Sequence, residues 1–282
     1  MKFTLDSAEL FIPDGLPEPE ALARTTHLTV VAHQDDIEIM AGAPIMECFQ
    51  RNDKWFAGVV VTNGSGSPRD DVYKDYTDEE MRVVRRKEQK KAAYIGEFSA
   101  QALLDFPSSA IKDKANKGPV NDLVALLKAT KPEVVCTHNL ADKHDTHVGV
   151  AVKLIEAIRQ LPKSERPKKL YGGEVWRDLD WMVDEDKVPF DCTGHENLQA
   201  ALLGVFDSQI AGGKRYDLAT MGRRKAHATY FASHGTDVTT GLNYAMNLTP
   251  LIEDDSLDIG AFVQNLIQRF SDEIAGRMKK LL

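Results

Sequence analysis

The sequence predicts an α/β protein: a Rossmann-like, mostly parallel sheet with helices on both faces, forming a single domain plus a C-terminal helical extension. Three observations predict it. Short β-branched and apolar runs at 28–31, 58–61 and 134–136 read as buried strands. Segments with apolar residues at helical spacing separate them. Polar turns follow these runs directly, and the carboxyl ends of strands are where open α/β sheets build their sites.

Taken in order, residues 1–24 carry Pro13, Pro17 and Pro19 around Phe11 and Ile12, which predicts an arm over the domain surface rather than a core strand. The first strand spans 27–32. Beyond it Ile37, Met40, Ala41, Ile45, Cys48 and Phe49 recur at helical spacing, with Pro44 either bending that helix or beginning it. A second strand covers 55–62 and runs into the loop 63–68. Thr77 followed by Glu80 is a capping-box pattern that opens a long helix, 78–95, stopped by Gly96. A weaker strand at 101–106, a helix at 119–130, a strand at 133–137 and a helix at 144–160 continue the alternation. A strand begins at 170–175, and helices at 195–206 and 217–231 close the main body. Residues 232–256 are mixed. A final helix, 257–282, carries Ile259, Phe262, Val263, Leu266, Ile267, Phe270, Ile274 and Met278 on one face. Such a stripe packs on a core; at a terminus it also leads us to expect a homo-oligomer.

The 282 residues carry a formal charge of −8, and 43% are hydrophobic. That composition supports a sizeable core and argues against a nucleic-acid or anionic-membrane partner. The basic run 82–87 lies among apolar residues on a helix and reads as a solvated face. Cys48, Cys136 and Cys192 are scattered, without a CxxC pair, so neither a disulfide framework nor a thiolate zinc site is expected. No basic segment leads into an apolar one at the start, and no run approaches the ~18 apolar residues of a membrane span. A cytoplasmic protein is expected.

Two polar clusters carry the chemistry. His33, Asp35 and Asp36 follow the first strand; 137–147, with His144 and His147, follows a later one. His33 and Asp36 are three apart on a turn, and with His147 they make the two-His, one-carboxylate set of open catalytic zinc sites. Zinc lowers the pKa of a water from about 15.7 to about 7. Asp35, beside a ligand but pointing elsewhere, suits a general base. His144, three before His147, faces the same place, where a protonated imidazole stabilises an oxyanion. A lone Asp here reads as a helix N-cap and a lone His as a surface or core residue. The joint pattern is hard to obtain by capping.

The stretch His33-Gln34-Asp35-Asp36-Ile37-Glu38 resembles the His-Pro/Ala-Asp-Asp-x-Glu motif of the PIG-L/LmbE-like zinc N-deacetylases. Arg85-Arg86-Lys87-Glu88 with Ala92 and Ile95-Gly96 is similar to that family's Arg-x-x-Glu helix. Pro132-Glu133-Val134-Val135 with 142–147 resembles its second motif, and Ser208-Gln209 matches a late Ser-Gln pair. The likeness covers about 25–235, leaving an N-terminal arm (1–24) and a C-terminal extension with an amphipathic helix (236–282). The resemblance implies a zinc-dependent hydrolase, one Zn2+ per chain or Fe2+ in its place. Such an enzyme removes an N-acetyl group from a small-molecule or glycoconjugate amino sugar such as an N-acetylglucosamine derivative. It implies His33, Asp36 and His147 as ligands, Asp35 as base, His144 as oxyanion or leaving-group partner, and Arg85 as a substrate hydroxyl or phosphate contact. Two residues depart from the pattern. Gln34 replaces Pro or Ala, and Thr146 stands where many members have Asp, with Asp145 or Asp142 available to substitute.

Asn63-Gly64-Ser65-Gly66 lacks the full GxGxxG and follows the wrong strand. It reads as a polar loop lining the site, with Asn63 a substrate contact. The stretch 176–181, with Trp176 and Trp181, reads either as a sugar-binding wall or as a packed strand end. Two other functions compete with deacetylation. Hydrolysis of another bond such as a phosphoester usually takes two metals about 3.5–4 Å apart, and ligands for only one are present. A catalytically silent sugar-binding protein would need neither Asp35 nor His144.

Overall fold

The computed structural model describes residues 1–282. The chain opens with β1 (Glu9–Phe11), α1 (Glu18–Ala23), β2 (His27–Val31), α2 (Asp36–Met40), α3 (Gly42–Cys48) and β3 (Phe56–Thr62). It continues through α4 (Asp78–Ile95), β4 (Ala100–Phe106), α5 (Ser108–Lys112), α6 (Gly118–Thr130), β5 (Val134–His138) and α7 (Asp145–Arg159). Next come β6 (Lys169–Gly173), β7 (Lys187–Asp191), α8 (Glu196–Gly204), α9 (Asp207–Ile210) and α10 (Tyr216–Tyr230). It ends with β8 (Leu242–Asn247), α11 (Pro250–Glu253) and α12 (Ile259–Leu281).

All eight strands share one sheet in the order β1-β4-β3-β2-β5-β6-β8-β7. The five inner pairing partners β4, β3, β2, β5 and β6 run parallel; β1 at one edge and the β8-β7 pair at the other are antiparallel. Side chains alternate across a strand, so parallel strands buried on both faces must be apolar throughout. Leu28, Val30, Val59 and Val61 enter one core with Leu123 and Leu127 of α6 and Leu154 and Ile158 of α7. Val31, Phe56 and Val60 enter the other, with Ile37 of α2, Ile45 of α3, Ala92 of α4 and Leu202 of α8.

The expected alternation is present, and three expectations need correction. The N-terminal arm is not only surface cover, because Glu9–Phe11 pairs with β4 as an edge strand. The loop left between 176 and 195 contains β7, and the mixed segment 232–256 contains β8, which lies inside the sheet between β6 and β7. These pieces are short and carry Pro189, Asn243 and Asn247; Pro189 is tolerated because β7 is an edge strand. The basic run on α4 is not a free solvated face. Arg82 pairs with Asp105 and Glu79, Arg86 with Glu9 and Asp105, and Arg85 is buried.

Pro44 resolves the first helix into two. Lacking an N–H, it cannot bond the Met40 carbonyl four residues back, and its ring crowds that carbonyl. The helix stops at Met40 and restarts at Gly42. Arg224 secures the resulting helix end: its guanidinium donates to the Glu38 carbonyl at 2.9 Å and to the Ile39 carbonyl at 3.1 Å. It also donates to Asn243 at 2.9 Å and Gln199 at 2.7 Å, and it is 2% exposed. Helix α12 divides in two. Ile259, Phe262, Val263 and Leu266 pack on the core, whereas Ile267, Phe270, Ile274 and Met278 remain exposed.

Arg224→Ala leaves several buried acceptors unpaired, each costing about 1–3 kcal/mol. A loss of roughly 3 kcal/mol or more is expected in urea unfolding, with no change in the denaturant slope. A variant as stable as the parent would show that this bonding does not hold the helix end.

Candidate active site

The site forms where β2 and β5 end side by side. The chain leaves β2 through a tight turn, and Asp35 sits in it with φ +87°, a conformation unusual for a residue with a Cβ. The turn is held from several sides. The Asp35 N–H donates to Gln89 Oε1 at 3.3 Å, and Gln89 Nε2 in turn donates to Glu38 Oε1 at 2.9 Å. Arg85 donates to the Gln34 carbonyl and to Ser67 Oγ. Gln34 folds inward, its Nε2 3.4 Å from the Thr62 carbonyl. It fills the space beside Gly64, where φ is +69° and a Cβ would lie 2.2 Å from Gln34 Oε1. The positive φ favours glycine there.

Asp36 occupies the first turn of α2 and is 2% exposed. Its Oδ2 accepts the His33 N–H at 2.8 Å. The same oxygen lies 3.4 Å from His33 Nδ1 and 3.5 Å from His147 Nε2. His33 Nδ1 and His147 Nε2 are 3.1 Å apart. Donors 2.0–2.1 Å from a tetrahedral zinc stand about 3.3–3.4 Å from one another. The three atoms thus form one face of such a tetrahedron, made of two imidazole nitrogens and a carboxylate, and the donor set fits a divalent metal.

Two further histidines adjoin this triangle. His138 ends β5 and is fully buried; its Nε2 is 3.5 Å from Asp36 Oδ2, and its ring stacks on His147 with centroids 4.0 Å apart. It groups with Asp36 and His147 as one further conceivable ligand set, and His144 groups with His33 and His147 as another. However, His138 Nε2 accepts the Ala32 N–H at 2.8 Å, so its lone pair is already engaged. His144 caps α7 and borders the cleft, its ring 4.5 Å from His147 and 5.1 Å from His33, centroid to centroid. His138 stood in the second sequence cluster without a role; only its position at the buried end of β5 reveals one.

Asp142 answers the question raised by Thr146. Its Oδ1 accepts the His144 N–H at 2.9 Å, and its Oδ2 accepts the Trp176 N–H at 3.1 Å. Oδ2 also lies 3.6 Å from His147 Nδ1, an ion-pair distance rather than a hydrogen bond. Asp142 therefore stands beside the His147 ring as a charge and meets His144 only at its backbone N–H; neither His147 Nδ1 nor His144 Nδ1 has a hydrogen-bond partner. Asp145 is exposed, and Thr146 is buried with its hydroxyl unpaired.

Charge follows this geometry. Burial pushes the Asp36 carboxyl up, but His147, His138 and His33 outweigh it and hold it far below the usual range. Burial would lower His147, yet Asp36 and Asp142 keep it above the ordinary imidazole value. Burial raises Asp35 to about 8 against the pull of Arg85, whose guanidinium is 3.5 Å from its carboxylate. Burial, then His147 and His33, lowers His144. The surroundings thus oppose the protonated His144 expected from sequence: before any metal is added, the neutral ring is favoured.

The cleft above the triangle has a volume of about 530 Å³. His33, Asp35, Asp36, Asn63, Arg85 and His144 all line it. His147 lies beneath, fully buried. The Asn63 side chain is turned into its own loop, accepting the Ser65 N–H at 3.2 Å. Trp176 lines the cleft, edge-on to Tyr216 at 6.0 Å. It belongs to the wall, whereas Trp181 packs against the core.

Metal-free protein titrated with zinc in a calorimeter is expected to take up one ion per chain. His33→Ala and His147→Ala should abolish tight uptake, and Asp142→Asn should weaken it by about 10–100-fold, the usual effect of removing a ligand's partner. Unchanged uptake in both histidine variants would contradict the triangle.

The same fold occurs in solved structures of distant sequence. One is the 4-carboxy-2-hydroxymuconate hydratase GalB from Pseudomonas putida, with TM-score 0.60 and 18% identity, covering 79% of this chain and 96% of that one. Another is the N,N'-diacetylchitobiose deacetylase from Pyrococcus horikoshii, with TM-score 0.58 and 17% identity over 81% and 86% of the two chains. A third is the A40926 pseudoaglycone deacetylase Dbv21, with TM-score 0.56 and 14% identity over 79% and 97%. No curated protein matches the sequence. Residues 28–158, from β2 through nearly all of α7, match the family model described as PIG-L, GlcNAc-PI de-N-acetylase.

Proposed function

We propose that the protein is a metal-dependent N-deacetylase that releases acetate from an N-acetylated amino sugar. The observation that carries this reading is the placement of Asp35 on the cleft wall beside the His33, Asp36 and His147 triangle, within the segment that matches the PIG-L family model. His33, Asp36 and His147 would hold one zinc, or iron(II) in its place. When bound, that ion supplies Lewis acidity at neutral pH.

The rest is done by the chain. Asp35 takes a proton from the attacking water and passes it to the leaving nitrogen as the amide C–N bond breaks. The products are acetate and a free amine. Arg85, tied to the Gln34 carbonyl and to Ser67, keeps the Asp35 turn in place and borders the substrate. His144 donates a ring N–H to the amide oxygen; burial and the neighbouring imidazoles lower its pKa. Asn63, whose Oδ1 is held by the Ser65 N–H, contributes a substrate contact through its Nδ2. Phosphoester hydrolysis is less well supported, because the two ligand sets share His147 and leave no separate second metal position.

Two further expectations belong to this reading. Cys48, Cys136 and Cys192 are buried and unpaired, which suits a reducing compartment such as the cytoplasm. The exposed stripe Ile267, Phe270, Ile274 and Met278 on α12 supports self-association. Light scattering should find an oligomer that Phe270→Glu with Ile274→Lys dissociates. A monomeric parent would remove the proposal.

Catalysis is tested with metal-loaded protein and a panel of N-acetylglucosamine derivatives, by assay of free amine. Asp35→Asn should keep the metal and lose about 10²–10⁴ in rate, the usual contribution of a general base. The base acts deprotonated and burial raises its pKa, so activity should climb with pH through a raised carboxylate pKa; a bound cation shifts that limb to lower pH. Wild-type turnover in Asp35→Asn would remove Asp35 from the mechanism.

His144→Ala should lose about 10²–10³ in kcat, as for one oxyanion donor, and keep both limbs of its pH profile. A basic limb that disappears in this variant would show that His144 acts as a cation instead.

A further inference from the structure

The cleft wall carries more positive charge than a neutral sugar needs. The whole chain has a formal charge of −8, and Asp35 and Asp36 are the only carboxylates among the cleft-lining residues. Arg85, Lys112 and Lys214 line the same space. The Arg85 charge is committed, held by the Gln34 carbonyl and Ser67 and facing Asp35 at 3.5 Å. The lysines are not committed. Arg69, Arg82 and Arg215 each have a carboxylate partner, but no carboxylate lies in ion-pair reach of Lys112, Lys143 or Lys214.

Two of these ammonium groups converge from distant parts of the chain. Lys143, in the turn between β5 and α7, has its Nζ 5.7 Å from the centroid of the Trp176 ring, and Lys214, between α9 and α10, has its Nζ 5.3 Å from it. An aromatic face attracts an ammonium without neutralising it. Trp176 on the cleft wall therefore carries two unpaired cations over its ring. Of this pair Lys214 lines the cleft, and Lys112, at the end of α5, is the other lysine on its wall.

We propose that the amino sugar taken by this cleft carries an acidic group, a phosphate or a carboxylate, received by Lys112, Lys143 and Lys214 beside Trp176. The sugar part of this statement rests on the deacetylase reading; the acidic part rests on the lysines. Steering of the anion by exposed lysines is screened by salt, which makes the inference measurable.

Binding is measured separately from turnover. Glucosamine 6-phosphate, muramic acid and methyl glucosaminide are titrated into metal-loaded protein at low and at high salt. Acetate release is then measured from the N-acetyl form of each. The phosphate or the carboxylate compound should bind roughly tenfold tighter than the neutral one at low salt, and high salt should erode the difference. Whichever acid binds tighter names the group. The preference should collapse in the triple variant Lys112→Gln, Lys143→Gln, Lys214→Gln and persist in the corresponding triple Lys→Arg variant. Equal binding of all three compounds, or a preference that survives charge removal, overturns the proposal. Acetate release without any anion preference leaves the deacetylase reading standing and this inference fallen. An anion preference without acetate release does the reverse.

Discussion

The Asp36 carboxylate is the constraint on which the rest depends. One oxygen, Oδ2, accepts the His33 N–H at 2.8 Å and lies 3.4–3.5 Å from ring nitrogens of His33, His138 and His147. Those groups come from the turn after β2, the end of β5 and the first turn of α7, so a single buried charge joins three elements. A carboxylate removed from water is costly unless it is paired and hydrogen-bonded, and here the imidazoles and the amide meet that cost. The same pairing gathers donors at the spacing of a metal's coordination shell. Parallel strands make this possible, since β2 and β5 are neighbours and both deliver their carboxyl ends to one edge.

The fold does not select the chemistry. A hydratase and two deacetylases share this architecture at 14–18% identity with the present chain, and function resides in the side chains grafted on it. In this chain Asp35 and Arg85 face each other at 3.5 Å on the cleft wall. Asp35, held at positive φ, lines the cleft, and the Glu38–Gln89 chain beneath stabilises its turn. Glu88 ties a more distant segment to the same helix: its carboxylate accepts the Ser208 N–H at 2.8 Å and the Ser208 hydroxyl at 2.6 Å. The late Ser-Gln pair seen in the sequence is thus a strut that presents the α9–α10 loop, with Lys214, to the cleft.

Much of this was legible in the sequence because the relevant signals are local. Continuous apolar runs marked β2, β3 and β5, Thr77 and Glu80 form the capping box they suggest, and His33, Asp36 and His147 come together. What was not legible depends on long-range packing. β8 reads as irregular because Asn243 bonds Arg224 and its neighbours pair with strands far away in sequence. His138 could not be told from a strand-end residue without β2 beside it. Asp142 was one of two candidates to replace the missing carboxylate, and only the fold places it against His147 rather than His144. The surroundings of His144 were not legible either: burial and the two imidazoles packed against it lower its pKa.

X-ray absorption at the zinc edge, on protein loaded with one equivalent, tests the central claim most directly. The account predicts a shell of nitrogen and oxygen at about 2.0–2.1 Å, with the multiple-scattering signature of two imidazoles. A shell containing three imidazoles, or sulfur at about 2.3 Å, would contradict the His33, Asp36 and His147 triangle.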